Sequence, residues 1–316
     1  MKRVLFAFAV LFCNLSLRAD PRQSYPFSVV AEREGNGHRI VARNNGPATV
    51  SVSVSIADAR SVASDRLFPF VAVVPPGGGT VSLARVRPAM ARAGYRFRIE
   101  TSWVFGDVNA RQSPNALYRL PYRDGLAFHI GQSAGGPLRT HIGPESHYAV
   151  DIGMPLGTPV VAARDGVVIY VEDRQIYGGQ SPEMVSKANE VRIRHSDGTI
   201  AVYAHLAHGG VSVYPGQIVR AGRQIGLAGS TGYSSGPHLH FVVQTAVRTG
   251  NRLTMLSLPF RFYVGKPPAL FVPRFGMYAV AQYSTPGQVP RVGAPVQLAP
   301  GPSPAIRPSL PSGLPQ

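Results

Sequence analysis

Histidines cluster in one part of this sequence and give the first indication of chemistry. Eight of the nine fall between His129 and His240, and two of them form the segment His238-Leu239-His240. In a β-strand, residues two apart point to the same face, so both imidazoles would project together while Leu239 packs behind them. Imidazole binds metal ions and transfers protons. The segment therefore predicts a surface where one histidine binds a metal and its neighbour contacts a substrate.

The residues around this pair form a longer motif. Residues 230–241 have the sequence STGYSSGPHLHF, which closely resembles the GxSxGPHLHF signature of the M23 peptidases, the lysostaphin-like or beta-lytic family of peptidoglycan endopeptidases. Further blocks that match the family occur in the expected order, namely YAVD at 148–151, GTPV at 157–160, ARDGVV at 163–168, YAHL at 203–206 and PGQIV at 215–219. The resemblance covers roughly residues 130–245, and so many ordered blocks argue against a chance match.

The resemblance implies a catalytic zinc ion with three protein ligands and a fourth position left open for water. The family's ligands are a histidine, an aspartate and the second histidine of the HxH pair, which correspond here to an upstream histidine, Asp151 and His240. By the same resemblance, His205 and His238 are the two non-ligand histidines that orient or deprotonate the water and stabilise the oxyanion. The sequence contains no HExxH motif, so the helix-borne glutamate base of another metallopeptidase class is absent.

Two histidines compete for the upstream ligand position. His147 reproduces the family's common HxxxD spacing with Asp151, but four residues of a straight strand span about 13 Å, so the chain would have to bend. His141 lies further upstream, in the turn-prone segment THIGP at 140–144, and keeps the family's HxG pattern. We favour His141, and we expect only one of the two to bind the metal.

The chain begins with a segment that resembles an export signal. Residues 1–19 begin with the basic pair Lys2 and Arg3, continue with an apolar run and close with Ala19, as a signal peptide does. The run is shorter than the roughly 20 residues that a membrane-spanning helix needs, so no transmembrane segment is expected after signal cleavage. The one cysteine, Cys13, lies inside this segment, which leaves no disulfide or cysteine catalysis to the mature chain. We therefore expect an exported protein of the periplasm or cell envelope.

The net charge of the chain indicates which classes of partner to expect. The formal net charge is +16, which favours polyanionic surroundings such as nucleic acid, anionic lipid or an acidic cell envelope. The sequence has no block of clustered Lys and Arg with interleaved aromatic residues, so no nucleic acid is expected. For an exported chain, anionic cell-envelope polymers and peptidoglycan peptides are the expected partners.

Hydrophobic patterning predicts an all-β protein. Within an accessory domain at 20–125, the segment VSVSVSI at 50–56 alternates apolar and polar residues, and Gly- and Pro-containing turns separate it from other strands, as in an immunoglobulin-like β-sandwich. An M23-like antiparallel β domain with a grooved zinc site is expected at 126–265. Pro, Gly and Ser accumulate toward the end of the stretch 266–316, for which we expect a disordered tail.

Together these observations predict a secreted zinc metalloendopeptidase that hydrolyses peptide bonds in bacterial peptidoglycan. Two alternatives stay open: a catalytically silent M23-like regulator of other cell-wall hydrolases, and a peptidase that acts on a secreted protein. The sequence retains Asp151, His205, His238, His240 and an upstream histidine, so it gives no sign of lost catalysis.

Overall fold

The computed structural model describes residues 25–90, 94–138 and 140–293, and nearly all of its regular structure is β-strand. Within these ranges the one helical element is a single 3₁₀ turn at Pro182–Met184, so the all-β prediction is confirmed. No helix in this part of the chain is long and apolar enough to cross a membrane. The predicted signal peptide at 1–19 and the predicted tail from 294 onward lie outside the described residues.

Seven strands in the first third of the chain form two sheets. They are β1 (Phe27–Glu34), β2 (Gly37–Asn44), β3 (Val50–Arg60), β4 (Val62–Ser64), β5 (Phe70–Val74), β6 (Thr80–Pro88) and β7 (Arg96–Phe105). One sheet has the order β1-β2-β6-β4 and the other the order β5-β3-β7. Val52 and Val54, in the predicted strand at 50–56, share a buried cluster with Ile40 and Leu83 of the other sheet. The two sheets therefore have a common core, while the immunoglobulin-like topology stays a prediction.

The remaining strands build a large central sheet and three small ones. They are β8 (Tyr118–Arg119), β9 (Ala127–Gln132), β10 (Val150–Gly153), β11 (Pro159–Val161), β12 (Gly166–Glu172), β13 (Gly178–Gly179), β14 (Asn189–Arg194), β15 (Ile200–Leu206), β16 (Ile218–Val219), β17 (Gln224–Leu227), β18 (Gly232–Tyr233), β19 (His238–Thr249), β20 (Arg252–Ser257), β21 (Phe262–Val264), β22 (Ala269–Phe271) and β23 (Tyr278–Val280). The central sheet has nine strands in the order β16-β12-β14-β15-β19-β10-β9-β23, with β20 paired to β19. Its strand pairs are antiparallel.

Alternation along β19 gives the central sheet two different faces. Leu239, Phe241 and Val243 are buried in the main core cluster on one face. Burial of an aromatic side chain such as Phe241 contributes about 1.5–3 kcal/mol to stability. His238 and His240 project from the opposite face because successive side chains of a strand alternate. The core side of this strand therefore fixes the position of the two histidines.

The first two sheets pack against the face of the central sheet that carries these histidines. Val50 of β3 and Phe105 of β7 share a buried cluster with Val202 of β15 and Val242 of β19. Val242 is two residues beyond His240 and therefore lies on the same face. One end of the histidine-bearing face is thus covered by the first two sheets.

The predicted tail differs from the structure over residues 266–293. Strand β22 pairs with β21, and β23 pairs with β9 in the central sheet. Phe271, Met277 and Ala279 are buried. The prediction was made from a composition dominated by the Pro-rich end of the stretch, whereas these apolar residues near its beginning pack into the core.

The segment before residue 126 also contributes to the second half of the molecule. Tyr118, Leu120 and Tyr122 are fully buried in the main core cluster, together with Phe241. Strand β8 pairs with β21, far along the chain. The prediction ends the accessory domain at residue 125, but the three residues named above precede that boundary and pack with the central sheet.

Candidate metal centre

The register between two strands brings Asp151 and His240 together. Asp151 of β10 lies directly opposite His240 of β19, and paired residues of antiparallel strands project from the same face. Nδ1 of His240 lies 2.9 Å from Oδ1 of Asp151. The pairing thus joins an aspartate and a histidine that the sequence motifs placed in separate blocks.

The loop before β10 supplies a third donor. Nε2 of His141 lies 3.1 Å from Oδ2 of Asp151, and its ring centroid lies 4.8 Å from that of His240. One potential ligand atom from each of these three residues lies within 4.8 Å of the other two. His147 is exposed, and its ring packs edge-on against Tyr148. The structure therefore brings the favoured histidine, rather than His147, to the aspartate.

Gln132 positions this cluster, although no sequence motif points to it. A bulge in β9 places Gln132 opposite Asp151. Its Nε2 donates to Oδ2 of Asp151 at 3.1 Å and to Oγ1 of Thr140 at 2.7 Å. Since Thr140 directly precedes His141, the glutamine connects the aspartate to the loop that carries the histidine. Only the pairing register, which local sequence does not reveal, identifies this residue.

A second bulge turns His205 toward the same cluster. Ala204 pairs with Glu190 and Leu206 pairs with Asn189, so His205 is an extra residue between two pairs. Its φ of 64° lies in the left-handed region that non-glycine residues seldom adopt. Ala204 already faces the histidine-bearing side, so regular alternation would direct His205 to the core. The bulge instead redirects the imidazole to the site, as bulges often do beside active sites.

His205 and His238 form a pair of imidazoles with ring centroids 4.6 Å apart. Nδ1 of His205 donates to the carbonyl oxygen of Thr231 at 2.7 Å, and Nδ1 of His238 donates to that of Gly236 at 2.8 Å. Because a carbonyl oxygen only accepts, each neutral ring carries its proton on Nδ1 and keeps Nε2 as a proton acceptor. Nε2 of His238 lies 3.9 Å from Oδ1 of Asp151.

The electrostatics of the cluster fix the charge of two members. Burial alone would raise the pKa of Asp151. Hydrogen bonds from His141 and His240 and the positive charge of these rings have a larger, opposite effect, so the pKa of Asp151 lies well below its usual range. Burial, followed by Coulombic repulsion from His238 and His240, lowers the pKa of His205 to about 3. At neutral pH the site thus contains an ionised carboxylate and an uncharged imidazole.

The three donors fit a zinc ion. Zinc in proteins is bound by imidazole nitrogens and carboxylate oxygens, and neighbouring ligands of a tetrahedral site lie about 3.3 Å apart. The nitrogens of His141 and His240 lie 3.1 and 2.9 Å from the two oxygens of Asp151. Metal binding requires a deprotonated carboxylate, which is the form that the pKa of Asp151 favours.

A family comparison agrees with this site. Residues 145–252 match the family model described as Peptidase family M23. The chain therefore contains a domain of peptidase family M23, and the resemblance predicted from the motifs is confirmed. This matched range includes Asp151, His205, His238 and His240, whereas His141 lies just before it.

Several named relatives share part of this chain. The DD-carboxypeptidase/endopeptidase Mpg of Neisseria meningitidis is 42% identical over 95 residues, which are 30% of this chain and 19% of the relative. The peptidoglycan DD-endopeptidase ShyA of Vibrio cholerae is 36% identical over 153 residues, which are 48% of this chain and 27% of the relative. The glycyl-glycine endopeptidase ALE-1 of Staphylococcus capitis is 35% identical over 133 residues, with shares of 42% and 32%. The chain thus spans less than a third of the length of these relatives.

Among solved structures, the catalytic domain of lysostaphin from Staphylococcus simulans is similar to this chain at 34% identity. The alignment covers 39% of this chain and 84% of that domain, with a TM-score of 0.29.

Proposed function

We propose that this protein is an exported zinc metalloendopeptidase that hydrolyses peptide bonds in bacterial peptidoglycan. The observation that carries the proposal is the convergence of His141, Asp151 and His240 on one face of the central sheet, with His205 and His238 beside them. The family match and the relatives named as peptidoglycan endopeptidases support the same activity.

His141, Asp151 and His240 would hold the zinc ion, and His147 would not. A bound zinc ion would polarise the substrate carbonyl and lower the pKa of water. The ionised carboxylate of Asp151 supplies a negative charge that favours the cation. Gln132 keeps this carboxylate in place through its hydrogen bond to Oδ2.

His205 and His238 would accept the proton of the attacking water and stabilise the negative charge that develops on the substrate oxygen. Their Nδ1 atoms are held by the carbonyl oxygens of Thr231 and Gly236, so Nε2 of each ring is left to accept a proton from water. A ring that has accepted this proton becomes a donor at Nε2. It can then stabilise an oxyanion or give the proton to the leaving amine.

The surroundings of the site suit an extended peptide. The segment between β18 and β19 contains small residues, and at Gly236, two residues before His238, no atom lies within 4 Å of the position that a Cβ atom would take. Such space fits the small and D-configured residues of peptidoglycan. The net charge of +16 suits an anionic envelope polymer.

Digestion of purified peptidoglycan, followed by mass spectrometry of the released fragments, tests this function. We expect the zinc-loaded wild type to release fragments with new peptide termini and His240→Ala to release none. Restoration by zinc after treatment with a chelator identifies the metal. Intact peptidoglycan after incubation with the folded, zinc-loaded wild type would contradict the proposal and favour a regulator or a peptidase of secreted proteins.

A further inference from the structure

A cluster of aromatic rings lies beside the metal centre on the histidine-bearing face of the central sheet. His129 of β9 pairs with Gly153 of β10, and Gly153 pairs with His238 of β19. On its other side His129 pairs with Tyr278 of β23. Since paired residues project from one face, the side chains of His129 and Tyr278 point to the same side of the sheet as His238.

Three rings make up this cluster, which we call the aromatic platform: His129, Phe275 and Tyr278. The ring centroid of His129 lies 5.2 Å from that of Tyr278 and 6.0 Å from that of Phe275. Phe275 is 37% exposed and Tyr278 is 39% exposed. Single exposed apolar residues are common on protein surfaces, whereas rings exposed together on one face indicate a binding surface.

The floor between the platform and the metal centre is open. Gly153 is the residue between His238 and His129 in this row of paired residues, and it has no side chain. A Cβ atom there would meet only the carbonyl oxygen of His129, at 3.9 Å. The strand order is β19-β10-β9-β23, and neighbouring strands are about 4.8 Å apart, so Tyr278 lies about 14 Å from His238 across the sheet.

Polar side chains lie next to the platform. Tyr278 lines a recess of about 390 Å³, together with Gln282 and Thr285. Pockets of this size accommodate small ligands. Amide and hydroxyl groups both donate and accept hydrogen bonds. The platform therefore combines apolar ring surface with neighbouring hydrogen-bonding groups.

The platform lies outside the part of the chain that matches the family model. That match covers residues 145–252, whereas His129 precedes this range and Phe275 and Tyr278 follow it. The matched range therefore does not account for these rings.

We propose that the aromatic platform binds a sugar ring of the glycan strand, an N-acetylated hexosamine, while the peptide attached to that strand reaches the metal centre. One face of such a sugar consists of C–H groups, and its rim carries hydroxyl and acetamido groups. The C–H face packs on aromatic rings, and the rim bonds to polar side chains such as those of Gln282 and Thr285. A peptide of about four extended residues spans about 13 Å, which matches the separation of His238 and Tyr278. The assignment rests on the proposed peptidase function of the same face.

Titration with a sugar that carries no peptide tests the assignment. The probe is a linear tetramer of β-linked N-acetylglucosamine, which a peptidase does not cleave. It is added to the full-length, zinc-loaded protein with isotope-labelled Phe and Tyr rings. We expect the NMR signals of the Phe275 and Tyr278 rings to shift with added tetramer until the site is saturated, which gives a dissociation constant.

Matched variants separate ring contact from general effects of substitution. Tyr278→Leu keeps an apolar side chain but loses the ring, and should weaken binding about fivefold because less apolar surface is removed from water. Tyr278→Phe keeps the ring and should bind within about twofold of the wild type. Tyr214→Leu removes a ring that is 67% exposed near β16, at the opposite edge of the central sheet, and should bind as the wild type does. Phe275→Leu serves if Tyr278→Leu does not fold.

The outcomes distinguish this inference from the proposed function. Unchanged ring signals in the wild type, or wild-type affinity in both Tyr278→Leu and Phe275→Leu, overturns the sugar site. A stem peptide without sugar, added with a chelator to prevent cleavage, should leave both ring signals in place. If this peptide shifts them as the tetramer does, the rings bind peptide and the sugar assignment is wrong. Tetramer binding that depends on the rings supports the site even if the zinc-loaded protein leaves peptidoglycan intact, a result that counts against the peptidase function alone.

Discussion

At the scale of single residues, the zinc site depends on a choice between two histidines that sequence spacing leaves open. Nε2 of His141 lies 3.1 Å from the carboxylate of Asp151, whereas His147 packs against Tyr148. We expect His141→Ala to lose bound zinc and His147→Ala to keep one zinc ion per chain, because a three-ligand site does not tolerate the loss of one ligand. Elemental mass spectrometry of the purified variants measures this difference.

Thermal unfolding with and without a chelator gives the matched control. A variant that still binds zinc is destabilised by the chelator, because the ion binds the folded state only. His147→Ala should therefore respond as the wild type does, and His141→Ala should not respond. Loss of zinc from His147→Ala, with zinc retained by His141→Ala, would reverse the ligand assignment.

Motifs identify most of these residues because the chemistry constrains short stretches of chain. His238 and His240 are two residues apart on one strand, and Asp151 and His205 each lie in a recognisable block. What the motifs do not contain is the direction of each ring. That direction depends on the carbonyl oxygen of Thr231 for His205, which is a feature of the folded backbone.

At the scale of elements, two bulges shape the site, and neither follows from the hydrophobic pattern. The bulge in β15 directs His205 out of the core, and the bulge in β9 sets Gln132 opposite Asp151. Alternation predicts the face of a regular strand, but one extra residue reverses that face for its neighbours. The segment at 50–56 was predictable because it lies in the regular strand β3.

The bulge in β9 leads to a prediction about metal affinity. Gln132→Met removes the amide that donates to Oδ2 of Asp151 but keeps a side chain of similar length. Partners that hold a metal ligand in place contribute about 10- to 100-fold in affinity, so we expect zinc to bind more weakly by this factor. Competition with a chromophoric chelator measures the change. The control is Gln288→Met, at an exposed position, which should bind zinc as the wild type does. Unchanged zinc affinity of Gln132→Met would show that Gln132 does not position Asp151.

At the scale of the whole molecule, the packing joins segments that composition assigns to different parts. Tyr118 and Phe271 belong to the same buried cluster, although one lies in the predicted accessory domain and the other in the predicted tail. Composition averages over a window, whereas burial depends on contacts between residues far apart in sequence. This explains why the all-β class was predictable and the limits of the core were not.

One of these long-range contacts involves a buried histidine away from the metal centre. His195 has no exposed surface, and its ring packs edge-on against Tyr118. Its Nδ1 donates to the carbonyl oxygen of Asp165 at 2.8 Å, and its Nε2 has no hydrogen-bond partner among the described residues. Burial lowers the pKa of His195 from 6.5 to about 4. The folded protein therefore keeps this ring neutral in a pH range where the unfolded chain protonates it.

This difference predicts an acid-sensitive stability. The unfolded state takes up a proton near pH 6.5 and the folded state only near pH 4, so the contribution of His195 is complete above pH 6.5 and is lost as the pH falls to 4. The free energy of unfolding should fall by up to about 3 kcal/mol from this residue over that interval. Urea unfolding at pH 7.5 and 4.5 measures the loss, with His195→Gln as a variant that keeps a donor for Asp165 but does not titrate. Between pH 7.5 and 4.5 the free energy of unfolding of the wild type should fall by about 2 kcal/mol more than that of the variant. The remaining titratable groups are common to both proteins, so equal decreases would show that His195 does not cause the acid sensitivity.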